Sequence, residues 1–71
     1  MAGNEKVLHK GDELYIIGYD TTKDKTYGFA RTYMHLLIGN VGTVERVVAG
    51  HIKVSVNGSY FWVEPGEVLC L

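Results

Sequence analysis

The chain has little of what small proteins use to build chemistry. Among its 71 residues there is a single cysteine, Cys70, so no disulfide can close within it. The three histidines, His9, His35 and His51, fall far apart in the sequence. None has a second histidine, a cysteine or a carboxylate at the spacing of a metal-ligand set. The carboxylates are single and scattered, and no glycine-rich loop runs from a strand into a helix N-terminus to cradle a phosphate. A cysteine in a short apolar run such as that around Cys70 reads as an inert core or edge residue. No metal, cofactor or enzyme activity is therefore expected. The stretch from Met1 to Lys10 lacks the apolar core of a signal peptide, and no apolar run approaches the ~20 residues of a membrane span. Cytoplasmic residence is the expectation.

Charge of one sign is also scarce. The net charge is −1, which argues against a generic polyanion binder. The charges are nonetheless segregated along the chain. Residues 1–20 hold Lys6 and Lys10 against Glu5, Asp12, Glu13 and Asp20. Residues 21–53 hold Lys23, Lys25, Arg31, Arg46 and Lys53 against only Asp24 and Glu45. Lys23, Lys25, Arg31 and Arg46 thus form a candidate basic patch, set against the ordinary reading of such residues as solvated surface.

What is present is the composition of a folded domain, with 46% hydrophobic and 21% charged residues. A chain this short supports one core and buries only ~60–65% of the surface its unfolded form exposes. Its stability should be about 3–10 kcal/mol. The nine glycines fall as punctuation between short apolar runs, the pattern of a small barrel or sandwich. Gly11-Asp12 leads into a strand at Glu13–Ile17, with Leu14 and Ile16 on one face and Tyr15 and Ile17 on the other. Tyr19–Thr26 is polar and reads as an exposed loop. From Phe29 to Ile38, the apolar residues Phe29, Tyr33, Leu36 and Leu37 recur at helical spacing, which predicts a short helix laid on the sheet and stopped at Gly39-Asn40.

The second half is more legible. Val41–Val48 is a strand, Ala49-Gly50 a turn, and His51–Val56 alternates apolar and polar residues with a period of two. Asn57-Gly58 then signals a hairpin. A two-residue turn pairs Val56 with Ser59, Val54 with Phe61, Lys53 with Trp62 and Ile52 with Val63. It sends Ile52, Val54, Phe61 and Val63 inward, leaving Tyr60 and Trp62 outside with Lys53 and Ser55. A three-residue turn slips the pairing by one and sends Tyr60 and Trp62 inward instead. Pro65-Gly66 breaks the strand, and Val68–Leu71 is a last short strand able to close a barrel against the first.

The sequence Gly42-Thr43-Val44 with Val47, then Ile52-Lys53-Val54, then Trp62-Val63-Glu64-Pro65 with Val68-Leu69, resembles an SH3-like barrel of the KOW-related kind. It is similar to small proteins encoded by bacteriophages and prophages, and Gly11-Asp12-Glu13-Leu14 fits the same pattern. The resemblance covers residues 11–71, with 1–10 as an N-terminal tail. The helix between the first two core strands stands where a compact KOW module has only a short loop. The implied fold is mostly β, a five-stranded SH3-like barrel with one short inserted helix. The implied role is that of a non-enzymatic binding module, and the partner remains open because this fold hosts many functions. Trp62 and Tyr60 beside Lys53 have the composition of a protein-interaction hot spot, suited to a phage-encoded modulator of a host protein. The alternative is a nucleic-acid-binding module using the same aromatic-plus-lysine face and the basic middle segment. The ordinary alternative for these rings is that they simply fill the core. A monomer or small homo-oligomer with no membrane association is expected.

Overall fold

In the computed structural model, which describes residues 7–71, the alternation along the chain becomes a five-stranded antiparallel sheet. The strands are β1 (Glu13–Ile16), β2 (Val41–Val48), β3 (His51–Val56), β4 (Ser59–Val63) and β5 (Val68–Cys70). They are ordered β4-β3-β2-β1-β5, so β4 and β5 are the two edges and the first strand lies between the second and the last. Period-two burial follows from this pleat. Leu14 and Ile16 of β1, Val44 of β2, Ile52, Val54 and Val56 of β3, and Val63 of β4 all face a single core, joined by Met34 and Leu37. Among the described residues no helix is long and apolar enough to cross a membrane. Most of the tail expected at residues 1–10 lies outside the described residues. Of the rest, Leu8 packs against the core, and just after the tail the Gly11 N–H donates to the Val44 carbonyl at 2.8 Å.

The hairpin between β3 and β4 takes the two-residue register, with Val56 opposite Ser59, Val54 opposite Phe61, Lys53 opposite Trp62 and Ile52 opposite Val63. Asn57 and Gly58 have φ of 52° and 84°, the paired left-handed residues of a type I′ turn. The β2–β3 turn repeats this geometry at Ala49 (φ 51°) and Gly50 (φ 82°), with Val48 opposite His51. A bulge between Val44 and Arg46 lets Glu45 leave the ladder, and Glu45 meets the Lys10 ammonium at 3.5 Å. Gly42 sits on β2 where β3 comes close. A Cβ there would lie 3.2 Å from Val54 Cβ and 3.2 Å from Val56 Cγ2.

The connection from β1 to β2 departs from expectation. The single helix expected over Phe29–Ile38 is confined to one turn, α2 (Met34–Leu37), and Phe29 and Leu36 of its anticipated apolar stripe are exposed. Met34 and Leu37 are the residues that reach the core. Ahead of that turn the chain is held by Arg31, whose side chain is buried against Glu67 and whose backbone N–H donates to the Tyr19 hydroxyl at 3.1 Å and the Asp24 carboxylate at 3.2 Å. The segment expected as an open loop is folded instead. The Asp20 carboxylate caps a 3₁₀ turn at Thr21–Lys23, accepting from Thr22 N at 3.0 Å and Thr22 Oγ1 at 2.6 Å. That turn runs into α1 (Asp24–Tyr27), which Gly28 closes in the left-handed conformation.

The two hairpin turns differ in how well their sequences suit φ > 0, because alanine has nothing to offset the Cβ clash there, whereas the short polar side chain of asparagine offsets it by local hydrogen bonding. Ala49→Asn should raise the stability by about 0.5–1 kcal/mol, and Gly58→Val should lower it by roughly 1–2 kcal/mol or more. Urea denaturation of the two variants beside the parent chain reads both signs.

Candidate binding surface

The outward residues of β2, β3 and β4 fall into rows. Arg46, Lys53 and Trp62 lie side by side across the three strands, and Ser55 and Tyr60 form the adjoining pair. Each cation lies against a ring. Arg46 Cζ is 5.9 Å from the centre of Trp62, and Lys53 Nζ is 4.9 Å from the centre of Tyr60. Tyr60 is 56% exposed, whereas Trp62 and Lys53 are half-buried. Trp62 also forms one wall of a shallow pocket of about 300 Å³, shared with Thr26, Tyr27, Val48 and His51.

The floor beside this pocket is a polar cluster that the sequence does not announce. The Tyr27 hydroxyl donates to Glu64 Oε2 at 2.7 Å, and His51 Nδ1 bonds the same carboxylate oxygen. Burial pushes the Tyr27 hydroxyl well above the ordinary tyrosine range, and its bond to Glu64 reinforces the effect. Burial by itself would raise the Glu64 carboxyl, but the hydrogen bonds from Tyr27 and His51 outweigh it and hold the group below its ordinary value.

Beneath the cluster lies Arg31, the one fully buried cation among the described residues, paired with the equally buried Glu67. Nη1 donates to Oε1 at 3.0 Å and Nη2 to Oε2 at 2.7 Å, the two-pronged geometry in which guanidinium and carboxylate match. The other lone pairs of Glu67 are filled by backbone: Oε1 accepts from Glu64 N at 2.8 Å and Oε2 from Asp20 N at 2.9 Å. Arg31 Nη2 also donates to the Asp20 carbonyl at 3.2 Å, and the guanidinium lies 4.3 Å from the centre of the Tyr27 ring. Burial would lower the Arg31 pKa, but the bonds to Glu67 more than reverse this and the guanidinium stays charged.

The expected basic patch is therefore divided. Arg31 is removed from it, because its charge is neutralised inside the protein. Arg46 joins Lys53 on the aromatic face, while Lys23, half-buried, and the exposed Lys25 stay on the 3₁₀ turn and α1. The expected trio of Trp62, Tyr60 and Lys53 does share one face. Tyr27, His51 and Glu64 escaped the sequence reading, since nothing in their spacing of 24 and 13 residues signals contact. The one available clue was Glu64-Pro65-Gly66-Glu67, where a proline at the first position of a turn and a glutamate three residues after the cap mark a turn start.

Away from this face, Val7, Leu8, Val47, Ile52, Val68 and Cys70 line an apolar groove of about 570 Å³. His35 stands edge-on to Tyr19 at 5.1 Å, and His9 lies by Asp12. Among the described residues, no three His, Cys, Asp or Glu side chains are grouped to hold a metal. No protein-family model matches the chain, and neither does any curated protein or solved structure.

Breaking a buried, hydrogen-bonded ion pair leaves an uncompensated charge and costs roughly 3–5 kcal/mol. Arg31→Met and Glu67→Gln should each lose about that much, most of what a domain of this size has. The double replacement Arg31→Met, Glu67→Met should not recover the parent stability, because Glu67 also satisfies two backbone N–H groups; chemical denaturation of the three variants measures each loss. A second outcome concerns acid. Glu64 has a folded pKa below its unfolded value near 4.5, so its contribution is complete above that value and fades as pH falls through the folded one. The melting temperature should drop as pH is lowered below about 4.5, and Glu64→Gln should both lower it at neutral pH and flatten the acid limb. Asp20, whose carboxyl is likewise held low by its bonds to Thr22, accounts for part of the slope that remains.

Proposed function

We propose that the chain is a non-enzymatic binding module, an SH3-like barrel that recognises a protein partner through the outer face of β2, β3 and β4. The barrel is supported by the strand order and by what occupies the space between the β4 edge and the β1–β2 connection. There Tyr33 Oη donates to the Trp62 carbonyl at 3.1 Å, and Arg31 Nη1 reaches the same oxygen at 3.5 Å. The observation that carries the binding role is the row of Arg46, Lys53 and Trp62 beside Tyr60, each ring with a cation over it. Tryptophan, tyrosine and arginine are the residues most enriched where protein interfaces concentrate their affinity. A small domain that leaves Tyr60 on its surface forgoes roughly 1.5–3 kcal/mol of burial.

One feature favours a second reading, a single-stranded nucleic acid. Two cations interleaved with two rings can pair with phosphates while the rings stack on bases. Salt separates the readings. Phosphate contacts weaken steeply between about 50 and 200 mM salt, whereas an apolar protein contact hardly changes.

Because Trp62 is the only tryptophan, its fluorescence reports directly on this face. Tyr60→Ala should change folding stability by only about 0.5 kcal/mol, whereas Trp62→Ala, which opens the pocket wall, should cost about 1–2 kcal/mol. Both should weaken capture of a lysate partner by tenfold or more at salt-independent strength. Undiminished capture by both folded variants would remove the face from consideration. Quenching of Trp62 by an oligothymidylate, lost on raising salt, would replace the protein reading with the nucleic-acid one.

A further inference from the structure

The rows of the outer face continue past Trp62 into a third. Val48 of β2 stands opposite His51 of β3, and Glu64 lies beyond them, just past the end of β4. This end of the face holds the pocket of about 300 Å³ walled by Thr26, Tyr27, Val48, His51 and Trp62. The donor inventory fixes which nitrogen of His51 carries hydrogen. Glu64, its carboxyl held low, is ionised at neutral pH and can only accept, and the Tyr27 hydroxyl already donates its one proton to Oε2 at 2.7 Å. His51 Nδ1 is bonded to the same oxygen, so it must be the N–H of that contact. In the neutral ring the other nitrogen, Nε2, is then a bare lone pair. It has no hydrogen-bond partner among the described residues and is not sealed from solvent.

We infer that this pocket receives a tyrosine side chain of the protein partner, its phenolic O–H donating to His51 Nε2. The inference rests on the recognition face proposed above, because Trp62 belongs to both that face and the pocket wall. The chemistry of the lining excludes other occupants. A cation is disfavoured because both rings already carry one, Arg46 Cζ at 5.9 Å from the centre of Trp62 and Arg31 Cζ at 4.3 Å from that of Tyr27. An anion would be drawn to Arg46 and Lys53 in the neighbouring row, not to a pocket that presents the Nε2 lone pair with the Glu64 carboxylate behind it. A wholly apolar side chain would strip Nε2 of water and leave it unpaired. What remains is a neutral, flat ring with a donor. A phenolic oxygen donates once and also accepts, which matches both the Nε2 lone pair and the Thr26 hydroxyl; an indole cannot accept, and a base would bury several polar atoms against Tyr27, Val48 and Trp62. The pocket is also too shallow to enclose roughly 70–90% of a free ligand, as small-molecule sites do. A ring presented by a larger partner has no such requirement.

The tyrosine side chain can be supplied as p-cresol, titrated into the whole chain at about pH 8, where imidazoles are ordinarily neutral. Nuclear magnetic resonance shifts of the Trp62 indole N–H and the His51 ring report its binding. The methyl ether of p-cresol, which accepts but cannot donate, is the comparison probe, with toluene, skatole and thymine beside it. The expected result is saturable shifts at Trp62 and His51, with p-cresol bound roughly 3–10-fold more tightly than its methyl ether or toluene, the contribution of one net hydrogen bond. That advantage should vanish in His51→Phe. Equal binding of p-cresol and its methyl ether by the parent chain, a comparison that requires no variant to fold, overturns the proposal. So does tighter binding of skatole or thymine, or the absence of saturable shifts at tens of millimolar p-cresol. Binding of p-cresol together with undiminished partner capture by Trp62→Ala and Tyr60→Ala overturns the assignment to a protein's tyrosine and makes a free phenol the ligand. Capture lost in both variants with no p-cresol binding strikes the pocket alone and leaves the recognition face standing.

Discussion

Everything between β1 and β2 is arranged around the pairing of Arg31 with Glu67. A guanidinium with no solvent exposure is tolerated only if its charge is met and its donors are occupied. Here both partners are inside, and the carboxylate uses both oxygens twice: on the guanidinium and on the N–H groups of Asp20 and Glu64. The pair thereby connects the segment after β1, the 3₁₀ turn before β5 and the end of β4. In a larger protein apolar packing would supply these connections. In a chain of 71 residues the polar network also fixes which single arrangement the connecting segment adopts. Arg31 Nε is the one buried side-chain polar atom without a hydrogen bond among the described residues; it faces Asp24 Oδ1 at 3.6 Å, where attraction persists without a bond.

Legibility from sequence follows the range of the forces involved. The β3–β4 hairpin was readable because its causes are local. Asn57-Gly58 supplies two residues that accept positive φ, and strict alternation from His51 to Val56 leaves only one face for the core. The same local logic separated Leu14 and Ile16 from Tyr15 and Ile17 on the two faces of β1, while the fold decided that the first pair is the buried one. The segment from Tyr19 to Ile38 was misread because its conformation is set by a partner 36 residues away. Phe29, Tyr33, Leu36 and Leu37 have helical spacing, yet the Arg31 side chain is drawn inside onto Glu67, and only Met34–Leu37 is helical. Asp20 followed by Thr22 did offer a capping signal, which the polarity of the segment concealed.

For the binding face the limits are similar. The register alone delivered Tyr60, Trp62 and Lys53 to the outer side. The place of Arg46 depends on the bulge at Glu45, an irregularity with no mark in composition or period. A charged residue in a basic-looking segment also carries no sign of whether it will be solvated or enclosed. Arg31 and Arg46 look alike in the sequence, and one lies at the centre of the fold while the other lies over Trp62.

The pairing of β1 with β5 has a consequence for the order in which the protein is made. Synthesis proceeds from the N-terminus at about 5–20 residues per second, and domains fold as units once their parts exist. The hairpins of β2, β3 and β4 join neighbours in sequence and can assemble as soon as they emerge. Until Glu67 has left the ribosome, however, Arg31 lacks its two-pronged partner, and β1 lacks one of its two flanking strands until Val68–Cys70 follow. The nascent chain therefore carries a sheet without β5 and an arginine without its buried carboxylate until Glu67–Cys70 emerge, and those residues are the ones that tie down the β1–β2 connection.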